Sequence, residues 1–265
     1  MTRHGAGAPA SAAVDHPAPT AAPPVLRFDR VAKTFANGLH AVAEASLDLA
    51  EGEFVSIIGP SGCGKSTLLR LAAGLEAVTA GRLVRAPGRL ACVFQSPCLL
   101  PWRTVRRNVE LLGELEHLPR DRLADRAKQA LALVGLEGFE DAHPAQLSGG
   151  MQMRASLARA LVLEPEIFLF DEPFGALDLL TRERLNDELL QIYLRSRFTG
   201  LFITHSVSEA VFLSSRVVVM SPRPGRLVAD IPIPFGYPRA PELRFEPEFG
   251  RLAGEAAKAL RAVTA

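Results

Sequence analysis

The stretch Gly59-Pro60-Ser61-Gly62-Cys63-Gly64-Lys65-Ser66 constrains this chain more than any other. It matches G-x-x-x-x-G-K-[ST] without a mismatch. The glycines let the backbone curl so that its N–H groups converge on phosphate oxygens, at the positive end of a following helix. The flanking sequence supplies the context that such a loop needs. Phe54 to Ile58 is a nearly all-apolar run, as in a central strand covered on both faces, and Lys65 to Ala73 reads as a helix ending at Gly74. Lys65 is expected to reach β- and γ-phosphates. Ser66 is expected to bind Mg²⁺ through its hydroxyl, and Thr67 to reach the α-phosphate.

A phosphate loop alone leaves kinases, GTPases and motors open. The second half of the chemistry is Ile167-Phe168-Leu169-Phe170-Asp171-Glu172. Four apolar residues carry a strand through the core, and Asp171 emerges at its carboxyl end, where open α/β sheets bind ligands. There Asp171 can hold Mg²⁺ through water, and Glu172 can polarise the water that attacks the γ-phosphate.

The rest of the chain reads as an α/β domain with a helical insertion. Leu26 and Phe28 alternate with Arg27 and Asp29 as a half-buried strand does, and Leu47 and Leu49 repeat the pattern. Further strands are expected at 90–95, Leu201 to Thr204 and Arg216 to Met220. From about 96 to 164 the pattern turns helical, with Leu123, Ala127, Ala130, Leu131 and Val134 on one face. Leu185, Leu189 and Ile192 mark another helix, and a short one is expected near Glu255–Val263 after proline and arginine turns. Residues 1–24 are rich in Ala and Pro and are expected to be disordered. Residues 25–232 form the nucleotide-binding domain of this reading, and 233–265 a short C-terminal extension.

Bulk numbers set outer limits. The 265 residues, 48% hydrophobic and 22% charged, suffice for a sizeable core. A formal net charge of +1 gives no overall pull toward nucleic acid, and no nucleic-acid partner is expected. Cys63, Cys92 and Cys98 are too few and too odd for a disulfide framework, and read as buried thiols packing as small apolar groups. No stretch approaches the roughly 18 apolar residues of a membrane span. If the chain acts at a membrane, something else holds it there.

Leu147-Ser148-Gly149-Gly150-Met151-Gln152 makes the class specific. Ser148 can cap a helix from about Gly150 to Leu163, whose N-terminus is a second anion site, with Gly149 and Gly150 allowing close approach. This segment resembles the signature of ABC-family ATPases. The resemblance implies the ABC ATPase fold, a P-loop core with a mixed sheet and an inserted helical subdomain. It also implies a head-to-tail homodimer in which each ATP lies between one subunit's P-loop and the other's signature.

Other positions match the family in order. Gln95 resembles the glutamine that meets Mg²⁺ and couples the two lobes. Gly175-Ala176-Leu177-Asp178 resembles the D-loop, which contacts the opposite subunit, with Asp178 near its nucleotide. His205 resembles the switch histidine at the γ-phosphate, and Phe35 stands where an aromatic stacks on adenine, although a Phe on a strand is also an ordinary core residue. The resemblance covers residues 25–232. It is closest to importers of nitrate, sulfonates, taurine and pyrimidine precursors, on Phe94-Gln95-Ser96-Pro97 running into Leu100-Pro101-Trp102-Arg103-Thr104-Val105, and on Ser221-Pro222-Arg223-Pro224-Gly225-Arg226. Such importers imply a separate permease, a solute-binding protein reached indirectly, and a place on the cytoplasmic face of the cell membrane.

Met151 replaces the usual signature glutamine, Gln152-Met153 stand for Arg-Gln, and Ser206 follows His205 where Asp is common. None of these removes a group assigned to phosphate or Mg²⁺. An ABC-type ATPase outside transport is the alternative, but such proteins carry a long coiled coil, zinc modules or a second ATPase domain, and none is visible. Trp102, next to the Gln95 segment, suits either an anchor for the permease or the interior of the helical block.

Overall fold

The computed structural model describes residues 23–264, so the expectation for the N-terminal tail falls, but for its last two residues, outside the described residues. Two sheets share the core. Strands β1 (Leu26–Thr34), β2 (His40–Leu49) and β4 (Ala80–Arg85) form an antiparallel sheet in the order β2-β1-β4. The larger sheet has the order β5-β6-β7-β3-β8-β9. Its strands β3 (Phe54–Ile58), β5 (Leu90–Phe94), β6 (Ile167–Asp171), β7 (Thr199–Thr204) and β8 (Arg216–Met220) are parallel. Only β9 (Leu227–Pro232) runs against its neighbour.

Because both faces of this sheet are covered, the central strands β3 and β7 are buried at every position, and the period of two decides which layer each side chain enters. Phe54, Phe168, Phe170, Phe202, Val217 and Val219 pack on one face, and Val55, Ile57, Ile167, Leu169, Leu201 and Ile203 on the other. The first face is aromatic: the rings of Phe168 and Phe170 stack 4.7 Å apart with planes 6° from parallel. Helix α1 (Lys65–Ala72) and the antiparallel sheet cover the second face.

Between β5 and β6 the chain is helical. Helices α2 (Val105–Leu115), α3 (Arg120–Leu133) and α4 (Gly149–Leu161) pack on one another. The α3 stripe Leu123, Ala127, Ala130 and Leu131 is buried, as its spacing requires. Helices α5 (Leu179–Ser196), α6 (Val207–Leu213) and α7 (Pro247–Thr264) complete the first layer.

Three expectations need correction. The C-terminal helix is not short: it starts at Pro247, whose fixed φ suits a first helical turn, and runs 18 residues. Strand β9 and a 3₁₀ turn at Pro241–Phe245 occupy the stretch expected to consist of turns. Cys98 is exposed and Cys92 only partly buried, so only Cys63 fits the buried-thiol reading.

Candidate nucleotide site

Parallel strands end together, and four of the segments singled out above leave the sheet at the same edge. Phe94 pairs with Asp171, Asp171 with Ile203, and Ile58 with Thr204. The residues that follow, Gln95, Glu172, Gly59 and His205, are therefore brought to one line at the carboxyl ends of β5, β6, β3 and β7. Open α/β sheets bind ligands at this edge.

Residues Gly59 to Gly64 pass from β3 into α1. Gly64, the residue before α1, has φ of +114°, and a Cβ there would lie 2.5 Å from the Ala41 carbonyl oxygen. Only glycine fits both the conformation and the space. Ser61 and Gly62 are exposed, while Lys65 is 4% exposed. The Lys65 ammonium donates to the carbonyls of Gly59 at 2.9 Å and Pro60 at 3.1 Å. Glu172 Oε1 lies 3.6 Å from the same ammonium.

Ser66 and Asp171 meet across the site, the hydroxyl donating to Oδ1 at 2.7 Å. Burial pushes the Asp171 carboxyl up, and the bond from Ser66 works in the opposite direction. A hydroxyl and a carboxylate this close make a hard-oxygen donor set of the kind that Mg²⁺ takes while keeping several waters. Glu172 spans the site, with Oε2 3.3 Å from His205 Nδ1. Its φ of +47° is unusual for a side chain of this kind, and its N–H is fixed by the Ile203 carbonyl at 2.9 Å. A non-glycine residue in this region costs about 1–2 kcal/mol, strain that clusters at functional sites.

The other predicted residues fall in three places. Gln95 is exposed at the end of the outermost parallel strand. Phe35 is partly buried at the hairpin between β1 and β2, with Lys33 Nζ 5.1 Å from the ring centroid. Ser148 caps α4, accepting from the Met151 N–H at 3.3 Å, and Gly149 and Gly150 approach Leu177 and Thr181. Asp178 caps α5, accepting from the Thr181 N–H at 3.0 Å, and this bond holds its carboxyl below the usual range. Thr67 lies partly buried in the first turn of α1.

Arg223, to which no motif assigns a role, clasps the phosphate loop. Its Nε and Nη2 donate to the Gly62 carbonyl at 3.0 and 2.7 Å. Gly225 continues this support, donating to Ala41 and accepting from Ala43. The string Ser221-Pro222-Arg223-Pro224-Gly225-Arg226 was a family marker, and its contact with residue 62 is long-range.

The model of the ABC transporter family matches residues 42–175. The chain belongs to the ABC transporter family of ATP-binding proteins. An ABC transporter ATP-binding protein of Methanocaldococcus jannaschii is 47% identical over 224 residues, 81% of this chain and 84% of that one. The aliphatic sulfonates import ATP-binding protein of Pseudomonas syringae pv. tomato is 45% identical over 233 residues, 87% of this chain and 95% of that one. A solved dimeric cassette in a post-hydrolysis state, bound to ADP and Pi, superposes with a TM-score of 0.70 at 30% identity, covering 78% of this chain and 98% of the other. This ABC protein is thus an ATPase with the P-loop fold of the family. Among its described residues no helix is long and apolar enough to cross a membrane.

Proposed function

We propose that this ABC ATPase powers an importer for a small solute of the nitrate, sulfonate, taurine or pyrimidine-precursor kind, through a separate permease on the cytoplasmic face of the cell membrane. The observation that carries the hydrolytic part is the alignment of Lys65, Ser66, Asp171, Glu172 and His205 at one sheet edge. The 45% identity to a sulfonate import protein supports the importer branch.

In this reading the N–H groups of residues 59–64 surround the phosphates of ATP, and Lys65 neutralises the β- and γ-phosphate charge. Thr67 bonds the α-phosphate, and Phe35 stacks on the adenine. Ser66, Asp171 and Gln95 hold Mg²⁺, which when bound offsets charge on the β- and γ-phosphate oxygens. Glu172 accepts a proton from the attacking water, while His205 orients the γ-phosphate. Ser148, Gly149, Gly150 and Asp178 act on the ATP held by the P-loop of a second copy, across a head-to-tail homodimer.

Glu172→Gln tests the site and the dimer together. The amide keeps the shape and loses the base, so the variant is expected to bind ATP, to hydrolyse it at least about a hundredfold more slowly, and to accumulate as a dimer. Light scattering with MgATP reads the dimer and phosphate release reads turnover. A variant that turns over like wild type excludes Glu172 as the base.

A further inference from the structure

Both neighbours of His205 bond to one buried residue. Glu209, on the first turn of α6, is 5% exposed. Its Oε2 accepts from the Thr204 hydroxyl, and its own N–H donates to Ser206 Oγ at 3.3 Å. The Ser206 N–H returns to Thr204 Oγ1 at 3.0 Å. The backbone on each side of the histidine is thereby fixed to Glu209.

The other carboxylate oxygen of Glu209 faces a different element. Oε1 lies 3.7 Å from Nε of Arg182 on α5, and the Asn186 side chain, one turn further along the same helix, also acts on the Glu209 carboxylate. Nη2 of the same guanidinium donates to the carbonyls of Leu177 at 2.8 Å and Gly175 at 3.4 Å. The loop 175–178 also approaches the histidine directly. A Cβ on Gly175 would lie 3.4 Å from His205 Cε1 and 3.3 Å from Gln95 Nε2, so a side chain there would crowd both.

An ion pair with side chains only 6% and 20% exposed, and without a direct hydrogen bond, contributes little to stability for the desolvation it entails. Charge-assisted pairs close to about 2.8 Å, and this one stands at 3.7 Å. Burial pushes the Glu209 carboxyl up, while the Thr204 hydroxyl and the Arg182 charge draw it back toward the ionised form. The buried pair thus joins the bonds that Arg182 makes to the 175–178 loop with those that Glu209 makes beside His205.

We propose that Arg182 and Glu209 are positioning residues that tie the loop 175–178 to the histidine at the γ-phosphate. This rests on the reading above, in which that loop meets the second copy while His205 serves this chain's own ATP. Each chain then carries a mechanical link from the partner's nucleotide site to its own. Closure of the dimer displaces the loop, the guanidinium follows its two carbonyls, and Glu209 shifts the backbone on which His205 stands.

Two variants test the link in the full-length chain. Glu209→Gln preserves shape and removes the charge, and Arg182→Met removes the bonds to Gly175 and Leu177. Each is expected to lower kcat about tenfold, with KM for ATP within about twofold of wild type, whereas Arg182→Lys keeps the charge and restores part of the rate. The carbon-bound imidazole proton signals of His205 are expected to shift in both loss variants, while those of His40, His117 and His143 stay in place. Unchanged kcat, or a reduced kcat with an unmoved His205 signal, overturns the proposal. So does weakened ATP binding accompanied by shifts at His40, His117 and His143 as well as His205, which is the pattern of general destabilisation. Should Arg182→Met fail to fold, the near-isosteric Glu209→Gln decides alone. The histidine signals are read on the chain without nucleotide, so failure of dimerisation in Glu172→Gln would be recorded separately.

Discussion

Ser66 and Asp171 stand 105 positions apart in the chain, and the hydroxyl of one donates to the carboxylate of the other at 2.7 Å. Desolvation raises the Asp171 carboxyl and the Glu172 charge adds to the rise, while the bond from Ser66 and the charges of Arg70 and Lys65 draw it down. A raised carboxyl binds its proton more tightly in the folded chain than in the unfolded one. Its contribution to stability is full below the ordinary carboxylate range and is lost as pH rises through the raised value. Near neutral pH the ionised group is therefore a cost to the nucleotide-free fold. Asp171→Asn is expected to raise the thermal midpoint at pH 7, with the gain shrinking as pH falls toward the carboxylate range. The same change is expected to cut hydrolysis by at least about a hundredfold. Thermal unfolding at several pH values and a phosphate-release assay check both halves, and a lower midpoint at neutral pH would contradict the electrostatic account.

The three thiols separate by environment. Burial pushes Cys92 up to about 11 and also raises Cys63, which is 1% exposed, whereas Cys98 is exposed. At pH 8 about one in a thousand Cys92 side chains is the reactive thiolate. A native-state alkylation time course is expected to label Cys98 first, with Cys63 and Cys92 following only on unfolding. Mass analysis after digestion identifies the labelled positions.

The elements that the sequence reveals are those whose rules are local. The run Phe54–Ile58, the glycine loop and α1 follow from contiguous composition and one motif, and β6 with Asp171 and Glu172 does so as well. Edge strands are harder to see. β4 is almost wholly exposed and β9 exposes every second residue with a proline at its end, so neither shows the apolar signal of a core strand. Helix α6 is hidden for the opposite reason: five of its seven residues are buried, which erases the amphipathic period. At the site, motifs identify Lys65, Ser66, Asp171, Glu172 and His205, while Arg223 on Gly62 and Arg182 on the 175–178 loop act through space. Nothing in their local sequence assigns these contacts.

The C-terminal segment is anchored by one buried cation. Arg239 is 4% exposed, and its Nη1 donates to the carbonyls of Val211, Phe212 and Ser214 at 3.0, 2.7 and 3.1 Å. Its Nη2 reaches the Phe235 carbonyl at 2.8 Å, and the guanidinium stacks 4.2 Å from the Tyr237 ring centre. The carbonyls at the end of α6 have no following turn to bond them, and the guanidinium takes that place. Arg239→Ala leaves them unpartnered and is expected to destabilise the fold by about 3 kcal/mol, with Arg239→Lys intermediate. Urea unfolding measures this, and a loss below about 1 kcal/mol would remove the anchoring role.

The head-to-tail dimer proposed above can be tested by complementation. Ser148→Arg damages the site on the partner's P-loop, and Lys65→Ala damages the chain's own. In a mixed dimer one site carries both lesions and the other carries neither. Random mixing makes about half of the dimers mixed, so roughly a quarter of wild-type sites are expected to regain activity. Each variant alone is expected to be nearly inactive. A mixture no more active than the sum of its parts would overturn the shared-site arrangement.

Trp102 is expected to anchor the permease that the proposed import function requires. The side chain is 73% exposed, which excludes the interior of the helical block as its place. Its surroundings are nonetheless rigid. Asn108, fully buried on α2, accepts from the Leu100 N–H at 2.7 Å and donates to the carbonyls of Leu100, Arg103 and Thr104 at 3.1 Å each. One amide thus staples both sides of the turn that displays the indole. A large aromatic on a fixed turn, a few residues after Gln95, loses little conformational entropy on binding and suits the anchor of an interface. Trp102→Ala is expected to weaken co-purification with the permease by about thirtyfold in apparent affinity, the effect of removing about 2 kcal/mol at a hot spot. The thermal midpoint and ATP affinity are expected to stay as in wild type, because the side chain packs against little in the isolated chain. Asn108→Ala is expected to weaken the same co-purification while also lowering the midpoint, since it removes four hydrogen bonds around the turn. Pull-down, thermal unfolding and nucleotide titration on both variants separate the outcomes, and full permease binding by Trp102→Ala would place the contact elsewhere.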